Sequence, residues 1–356
     1  MALKADFIPY TLQFREPGGT SRGVMHIRKV WYLRIFDPQN PKCVGIGECA
    51  PLPGLSCDDM AGFERKLEEV CGDIEFWIRN QELLQAFPSI RFGLEMAWLD
   101  YRHGANRRWF PSEFTEGKAG IRINGLIWMG DMEQMDTRIR KKLRDGFSCL
   151  KLKIGAIDFE DEIALLKKLR QRFSARDLQL RVDANGAFSY EDAPRKLERL
   201  AEFDIHSIEQ PIKAGNPEQM AVLCANTPLP IALDEELIGI HGMNDRTSLL
   251  RTIAPQYIIL KPSLVGGFLA SDEWIGIAEA AGVAWWATSA LESNVGLNAI
   301  AQWTYARGVH LPQGLGTGQV FTNNVPSRLT LRGELLFLNP GRRCQSEEKF
   351  ILKNKQ

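Results

Sequence analysis

CLKLKIGAIDFEDEIALLKKLRQRFSARDLQLRVD, residues 149–183, reads as a strand, a helix and a second strand. The runs at 149–153 and 179–183 have strand length and end in charge, while 159–172 repeats apolar residues at helical spacing. The same alternation spreads outward in both directions. It predicts further strands at 121–126, 207–209, 231–234, 257–261, 284–288 and near Leu315, with helices among them at 131–144, 190–202 and 268–280. Strand–helix units repeated over about 200 residues require a parallel sheet, and eight of them predict an α/β fold closed into a (β/α) barrel, a modified TIM barrel. An open doubly wound sheet is the structural rival, but no G-x-G-x-x-G turn follows an early strand to support it.

Residues 1–115 read differently. Strand-like segments at 8–14, 23–36 and 44–48, joined by polar turns such as Asp37-Pro38-Gln39-Asn40, precede helical patterns at 58–71 and 89–101. That is an α+β capping domain set before a barrel at 116–322. The last segment, 323–356, holds the strand-like LTLRGELLFL (329–338) and a charged tail, and it is expected to pack back on the capping domain.

Composition narrows the function classes. The 356 residues are 44% hydrophobic and 25% charged, as in an ordinary globular protein. Lys+Arg and Asp+Glu balance at 44 each, so no net field favours nucleic acid or an anionic membrane. Seven Cys, at 43, 49, 57, 71, 149, 224 and 344, form no C-x-x-C pair and read as reduced thiols. The opening MALKADFIPYTLQFREPG breaks any signal-like apolar stretch with charges and a Pro, and no apolar run reaches the roughly 18–20 residues of a membrane span. A cytoplasmic enzyme is expected.

Parallel barrels carry reactive groups at the carboxyl ends of their strands. Here those ends read Lys151-Leu152-Lys153, Asp183, Glu209, Asp234 and Lys261. Three carboxylates on neighbouring strands repel one another, and a hard divalent cation such as Mg²⁺ resolves the conflict. No Cys or His stands at these ends, which argues against Zn²⁺. Strand parity points Lys151 and Lys153 the same way, into the mouth, and a lysine beside a second cation loses its proton more easily. Arg181 shares a face with Asp183 by the same rule. Each feature has a plainer reading: a K-x-K guards a strand edge, an Asp after a strand caps the next helix, and Asp183 in Asp-Ala-Asn-Gly shapes a turn. Their order along five consecutive strands argues against the plainer readings.

The stretches LKLKIG (150–155), RVDANGAF (181–188), IEQPI (208–212), LDEEL (233–237) and ILKPSLVGG (259–267) resemble the enolase superfamily, within its muconate-lactonising-enzyme subgroup. GECAPLPGLS (47–56), ATSALESNVGLNAIAQ (287–302) and LPQGLGTGQVFTNN (311–324) resemble the branch that dehydrates a succinyl-bearing cyclohexadiene in menaquinone biosynthesis. The resemblance implies Mg²⁺, with Mn²⁺ as a substitute, held by Asp183, Glu209 and Asp234, with Glu235 as a competitor for the third place. It implies that Lys153 abstracts the α-proton to give an enediolate and then protonates the departing hydroxyl, a Lys-base pattern of the superfamily. Lys261 stabilises the intermediate from the opposite side, and Lys151 tunes Lys153. The resemblance further implies a small-molecule carboxylate substrate as partner, its succinyl tail held by Ser289 and the Gly314-Leu315-Gly316 turn with help from Arg181, directly or through water, while Asn185 supports the metal ligand or substrate. The stretch Gly18-Gly19-Thr20-Ser21 is expected as a lid, with a plain surface hairpin as the alternative, and 51–56 as a second specificity loop. Phe188 is expected as packing.

Two other functions compete. Lys153 and Lys261 on opposite faces of one carbon also suit an N-succinyl amino acid racemase. Dipeptide epimerases of this scaffold carry an Asp-x-Asp after strand eight, where GLGTG stands here. A barrel that only binds is the reading from another class, and the retained carboxylates and lysines argue against it.

Overall fold

The computed structural model describes residues 2–20, 23–308, 310–341 and 345–353. The chain opens with an antiparallel sheet of β1 (Lys4–Thr20), β2 (Gly23–Asp37) and β3 (Asn40–Cys49), in that order. Three helices cover it: α1 (Phe63–Gly72), α2 (Ile74–Arg79) and α3 (Pro88–Arg102). Trp31, Leu33 and Ile35 of β2 meet Leu67 and Leu94 in a core of their own. α3 lies so close to β3 that a Cβ on Gly47 would overlap the Gly93 backbone, which only glycine avoids. The expected helix at 58–71 starts at Phe63 because Gly62 turns through φ 95° and buried Asp58 is drawn to the Ser89 N–H at 2.8 Å.

The barrel follows as β4 (Ile121–Arg122), β5 (Gly125–Ile127), α4 (Met132–Arg144), β6 (Cys149–Lys153), α5 (Phe159–Arg172) and β7 (Gln179–Asp183). Then come α6 (Ala193–Ala201), β8 (Ser207–Glu209), α7 (Pro217–Asn226), β9 (Ile231–Leu233), α8 (Met243–Ile253) and β10 (Tyr257–Leu260). A short α9 (Pro262–Val265), α10 (Gly267–Ala280), β11 (Ala284–Ala287) and α11 (Asn294–Ala306) complete the units. Seven parallel strands run in the order β11-β10-β9-β8-β7-β6-β5. Residues 313 and 314 close the ring: Gln313 N–H donates to Arg122 O at 2.8 Å, and Gly314 N–H to Ala287 O at 2.8 Å. This is the expected α/β barrel with its capping domain. Its short eighth strand is reduced to single bridges at Gln313 and Gly314, and the first is split because β4 leaves to pair with the C-terminal hairpin.

That hairpin is β12 (Leu329–Arg332) and β13 (Leu335–Leu338), followed by α12 (Gln345–Lys353). α12 sets Phe350 against Tyr10 of β1, ring centroids 5.9 Å apart, and Glu347 against buried Arg107 at 3.4 Å. The arm of β1 leans on the segment after strand eight, with Phe14 4.7 Å from Phe321 and Arg15 N–H donating to Val320 O at 2.8 Å. Of the expected lid, Gly18 pairs with Met25 in a continuing hairpin, and Ser21 lies outside the described residues. Phe188 is buried, packed edge-on to Phe159. The six described cysteines are free thiols, Cys344 lies outside the described residues, and no described helix is long and apolar enough to cross a membrane.

Candidate active site

The parallel register sets the charged strand ends side by side. Lys153 pairs with Asp183 across β6 and β7, and Asp183 with Glu209 across β7 and β8. Asp234 follows β9 directly and Lys261 follows β10, so all six groups of the predicted rim meet at one end of the barrel. All are buried, Asp183 completely. Six charges removed from water need partners, and they find them in one another.

Lys151 bridges Glu209, by a short contact, and Asp183 Oδ2 at 2.8 Å. Lys153 donates to Asp183 Oδ2 at 2.5 Å and to Asn185 Oδ1 at 2.7 Å. Lys261 is paired with Asp234 Oδ2. Burial on its own would raise Asp183, but the ammoniums of Lys151 and Lys153 outweigh it and hold the carboxyl well below the usual carboxylate range. Burial likewise opposes the pull of Lys261 on Asp234, which ends below its ordinary value. Glu209 goes the other way: burial and the neighbouring Asp183 charge push it well up against the pull of Lys151. Against burial, Asp183, Glu209 and Asp234 raise Lys151. At Lys151, carboxylates rather than the neighbouring lysine dominate the field.

Among the described residues no three His, Cys, Asp or Glu side chains stand as a ready metal cluster; ammonium groups lie among the carboxylates. The donor set is nevertheless that of a hard cation. It offers three carboxylates on consecutive strand ends and no sulfur or imidazole, and buried Glu209 Oε1 has no hydrogen-bond partner. The residues present therefore fit Mg²⁺ with Asp183, Glu209 and Asp234 as ligands. Glu235 is turned instead to the Asn185 amide at 2.9 Å.

Asn185 sits at φ 46°, a left-handed position that Asn tolerates, and its N–H donates to Asp183 Oδ1 at 3.0 Å. Ser289 is buried at the end of β11, and its hydroxyl is engaged within the protein. It donates to Glu292 Oε2 at 2.6 Å and accepts from Thr317 Oγ1 at 2.8 Å. Gly314 is bonded on both sides within the barrel wall, and Leu315 is buried, so the turn offers fewer polar groups than expected. Gly316 has only Ile123 and Asn124 near the position of a Cβ.

Arg181 meets the barrel wall rather than a rim carboxylate. It is buried below Asp183 with its guanidinium 4.1 Å over the Trp286 ring, donating to Pro312 O at 2.8 Å. It stands in register with Lys151 on the same strand face as Asp183, but its contacts are the ring and the carbonyl rather than a rim carboxylate.

Two supporting side chains were not singled out by sequence patterns. Gln210, at φ 40°, accepts the N–H of Asp234 at 3.2 Å and donates to Glu236 at 2.9 Å, which fixes the turn after β9. Its placement between Glu209 and Pro211 in IEQPI was the available signal. Glu292, in ALES, had none beyond its nearness to Ser289.

Comparison with known proteins gives a consistent result. A family model described as Enolase C-terminal domain-like matches residues 134–321, and one described as MenC, N-terminal domain matches residues 23–101. The chain is 46% identical to an o-succinylbenzoate synthase of Desulfotalea psychrophila, over 91% of this chain and 96% of that one. The crystal structure of MenC from Desulfotalea psychrophila LSv54 superposes with a TM-score of 0.85 at 42% identity, covering 95% of this chain and all of that one. An N-succinylamino acid racemase of Amycolatopsis is more distant, 29% identical over 79% of this chain and 76% of that one. The chain belongs to the enolase superfamily, in the family of the o-succinylbenzoate synthases.

Proposed function

We propose that the chain is a cytoplasmic o-succinylbenzoate synthase of menaquinone biosynthesis, converting 2-succinyl-6-hydroxy-2,4-cyclohexadiene-1-carboxylate to 2-succinylbenzoate by syn loss of water. The observation that carries this reading is the buried set of three lysines and three carboxylates at five consecutive strand ends. Asp183, Glu209 and Asp234 hold Mg²⁺, or Mn²⁺ in its place. When bound, the ion supplies positive charge where the substrate carboxylate takes up negative charge.

The chain's own groups handle the proton. Lys153, as the free amine, takes the α-proton and becomes an ammonium. It then gives that proton to the departing hydroxyl, which leaves as water, and the amine is restored as the ring becomes aromatic. Asn185 orients the Lys153 nitrogen through its Oδ1. Lys261 keeps a cation beside the charge that develops in the substrate, and Lys151 fixes Asp183 and Glu209. The rim of Ser289 and residues 314–316 faces the succinyl tail. On the same reading the chain divides into a cap (1–115), a barrel (116–322) and a returning segment (323–356).

The test is an assay of the purified protein with Mg²⁺ on the cyclohexadiene substrate, alongside α-proton exchange on N-succinyl amino acids. Aromatisation faster than exchange by about tenfold or more supports the synthase. Exchange without aromatisation transfers the function to racemisation.

A further inference from the structure

Glu292 is fully buried three residues past Ser289, and the chemistry above does not use it. One carboxylate oxygen accepts the Ser263 hydroxyl. The other accepts the Ser289 hydroxyl at 2.6 Å and the Ala290 N–H at 2.8 Å. Ser263 stands in the first turn of α9, whose N-cap residue is Lys261, and Leu264 N–H donates to the Lys261 carbonyl at 2.8 Å. A single side chain thus ties the turn that carries Lys261 to the end of β11. Through the Ser289–Thr317 bond it also reaches the loop after strand eight. A cation from the cap faces it: Arg28 of β2 is fully buried and donates to the Ala50 and Pro51 carbonyls at 2.6 and 3.0 Å. Burial pulls Arg28 down to about 10, and Glu292 is the foremost charge opposing that pull.

We propose that Glu292 is a positioning residue that acts through Ser263, fixing the turn from which Lys261 projects into the site. The proposal rests on the role given to Lys261 above. A lysine on its flexible stem is placed only as well as its backbone is held, and beyond the strand that backbone is held by the helical bonds of α9 and by this side-chain tie at its first turn. A carboxylate accepts at both oxygens; an amide in its place accepts at one and donates at the other. With its oxygen toward Ser289 and Ala290, a glutamine would turn a donor on Ser263 and reverse that arm of the tie.

The test uses Glu292→Gln, Ser263→Ala and the double variant, each with a Mn²⁺ titration and near-ultraviolet circular dichroism. The expected result is a fall in kcat of about tenfold or more for each single variant, with KM within about twofold and Mn²⁺ affinity unchanged. The double variant falls no further than the worse single one, because both substitutions break the same tie. Losses that multiply in the double variant, a kcat within about twofold of wild type in folded Glu292→Gln, or a loss matched by the unfolded fraction would each overturn the proposal. Should Glu292→Gln not fold, Ser263→Ala alone decides, since a kcat near wild type there removes the tie to Lys261. Absence of turnover in the wild-type protein defeats the reading of the reaction instead, so the two failures are distinguishable.

Discussion

The barrel rim and the seam between cap and barrel both bury carboxylates, and two aspartates of the rim fare differently from the glutamates of the seam. At the rim, Asp183 and Asp234 face ammonium groups and stay below their ordinary values despite burial. At the seam, Glu48 of β3 accepts the Ser293 and Gly296 N–H groups at 2.7 and 2.8 Å at the start of α11. Glu95 of α3 accepts the Phe268 N–H at 2.5 Å at the start of α10, with Arg91 3.6 Å away. Helix N-termini favour negative charge, but these contacts do not cancel burial, and both glutamates are pushed up to about 7. Asp183 and Asp234 remain strong anions because close ammonium groups outweigh burial, whereas Glu209, which also faces the Asp183 charge, is pushed up despite Lys151. Glu48, met by a serine hydroxyl and backbone N–H groups, and Glu95, met by Arg91 at 3.6 Å and backbone N–H groups, are docking groups that burial leaves ready to take a proton.

The contrast can be broken first by removing metal. On the proposed reading, excess EDTA abolishes dehydration by several orders of magnitude and Mg²⁺ restores it; steady-state turnover before and after chelation checks this. Next, Asp234→Ala leaves Lys261 buried without its partner. We expect a loss of about 3–5 kcal/mol in denaturant unfolding, and a change below 1 kcal/mol would mean that the rim pairs do not depend on one another.

The seam predicts a pH effect. Glu48 holds its proton more tightly folded, at about 7, than at the ordinary 4.5, so its stabilising contribution is complete below pH 4.5 and is lost as the pH rises through 7. The loss is about 3 kcal/mol across that window, and Glu95 adds a similar slope. Glu48→Gln is expected to flatten the fall in unfolding free energy between pH 5 and 8, and an unchanged slope would show that Glu48 does not titrate there. The smallest effect is expected at Arg181, a buried cation turned to an aromatic ring and a carbonyl. Arg181→Met should leave KM within about threefold of wild type, whereas a residue gripping the substrate tail would raise it far more.

The rim was legible in the sequence because each of its groups sits at the end of a short apolar strand. The bounds of β6, β7 and β8 follow directly from that pattern, and parity alone predicts that Lys151 and Lys153 share a face. Parity places Arg181 on the face of Asp183 but does not say what its long side chain reaches, here the Trp286 ring and the Pro312 carbonyl. The helix α11 has no polar face to reveal its period, because its residues are buried on all sides. Glu48 meets Ser293 and Gly296 across more than two hundred positions of chain, and Glu292 binds Ser263 across 29 positions that the parallel pairing of β10 and β11 brings together. Pattern along the chain carries local structure; these ties exist only once strands pair and the cap meets the barrel.

The most direct test of the proposed chemistry is turnover of the cyclohexadiene substrate by Lys153→Ala beside the wild-type protein, both with Mg²⁺. The account predicts brisk aromatisation by the wild type and a loss of at least about a thousandfold in the variant, because one amine serves both proton transfers. Near-normal turnover by folded Lys153→Ala would contradict it.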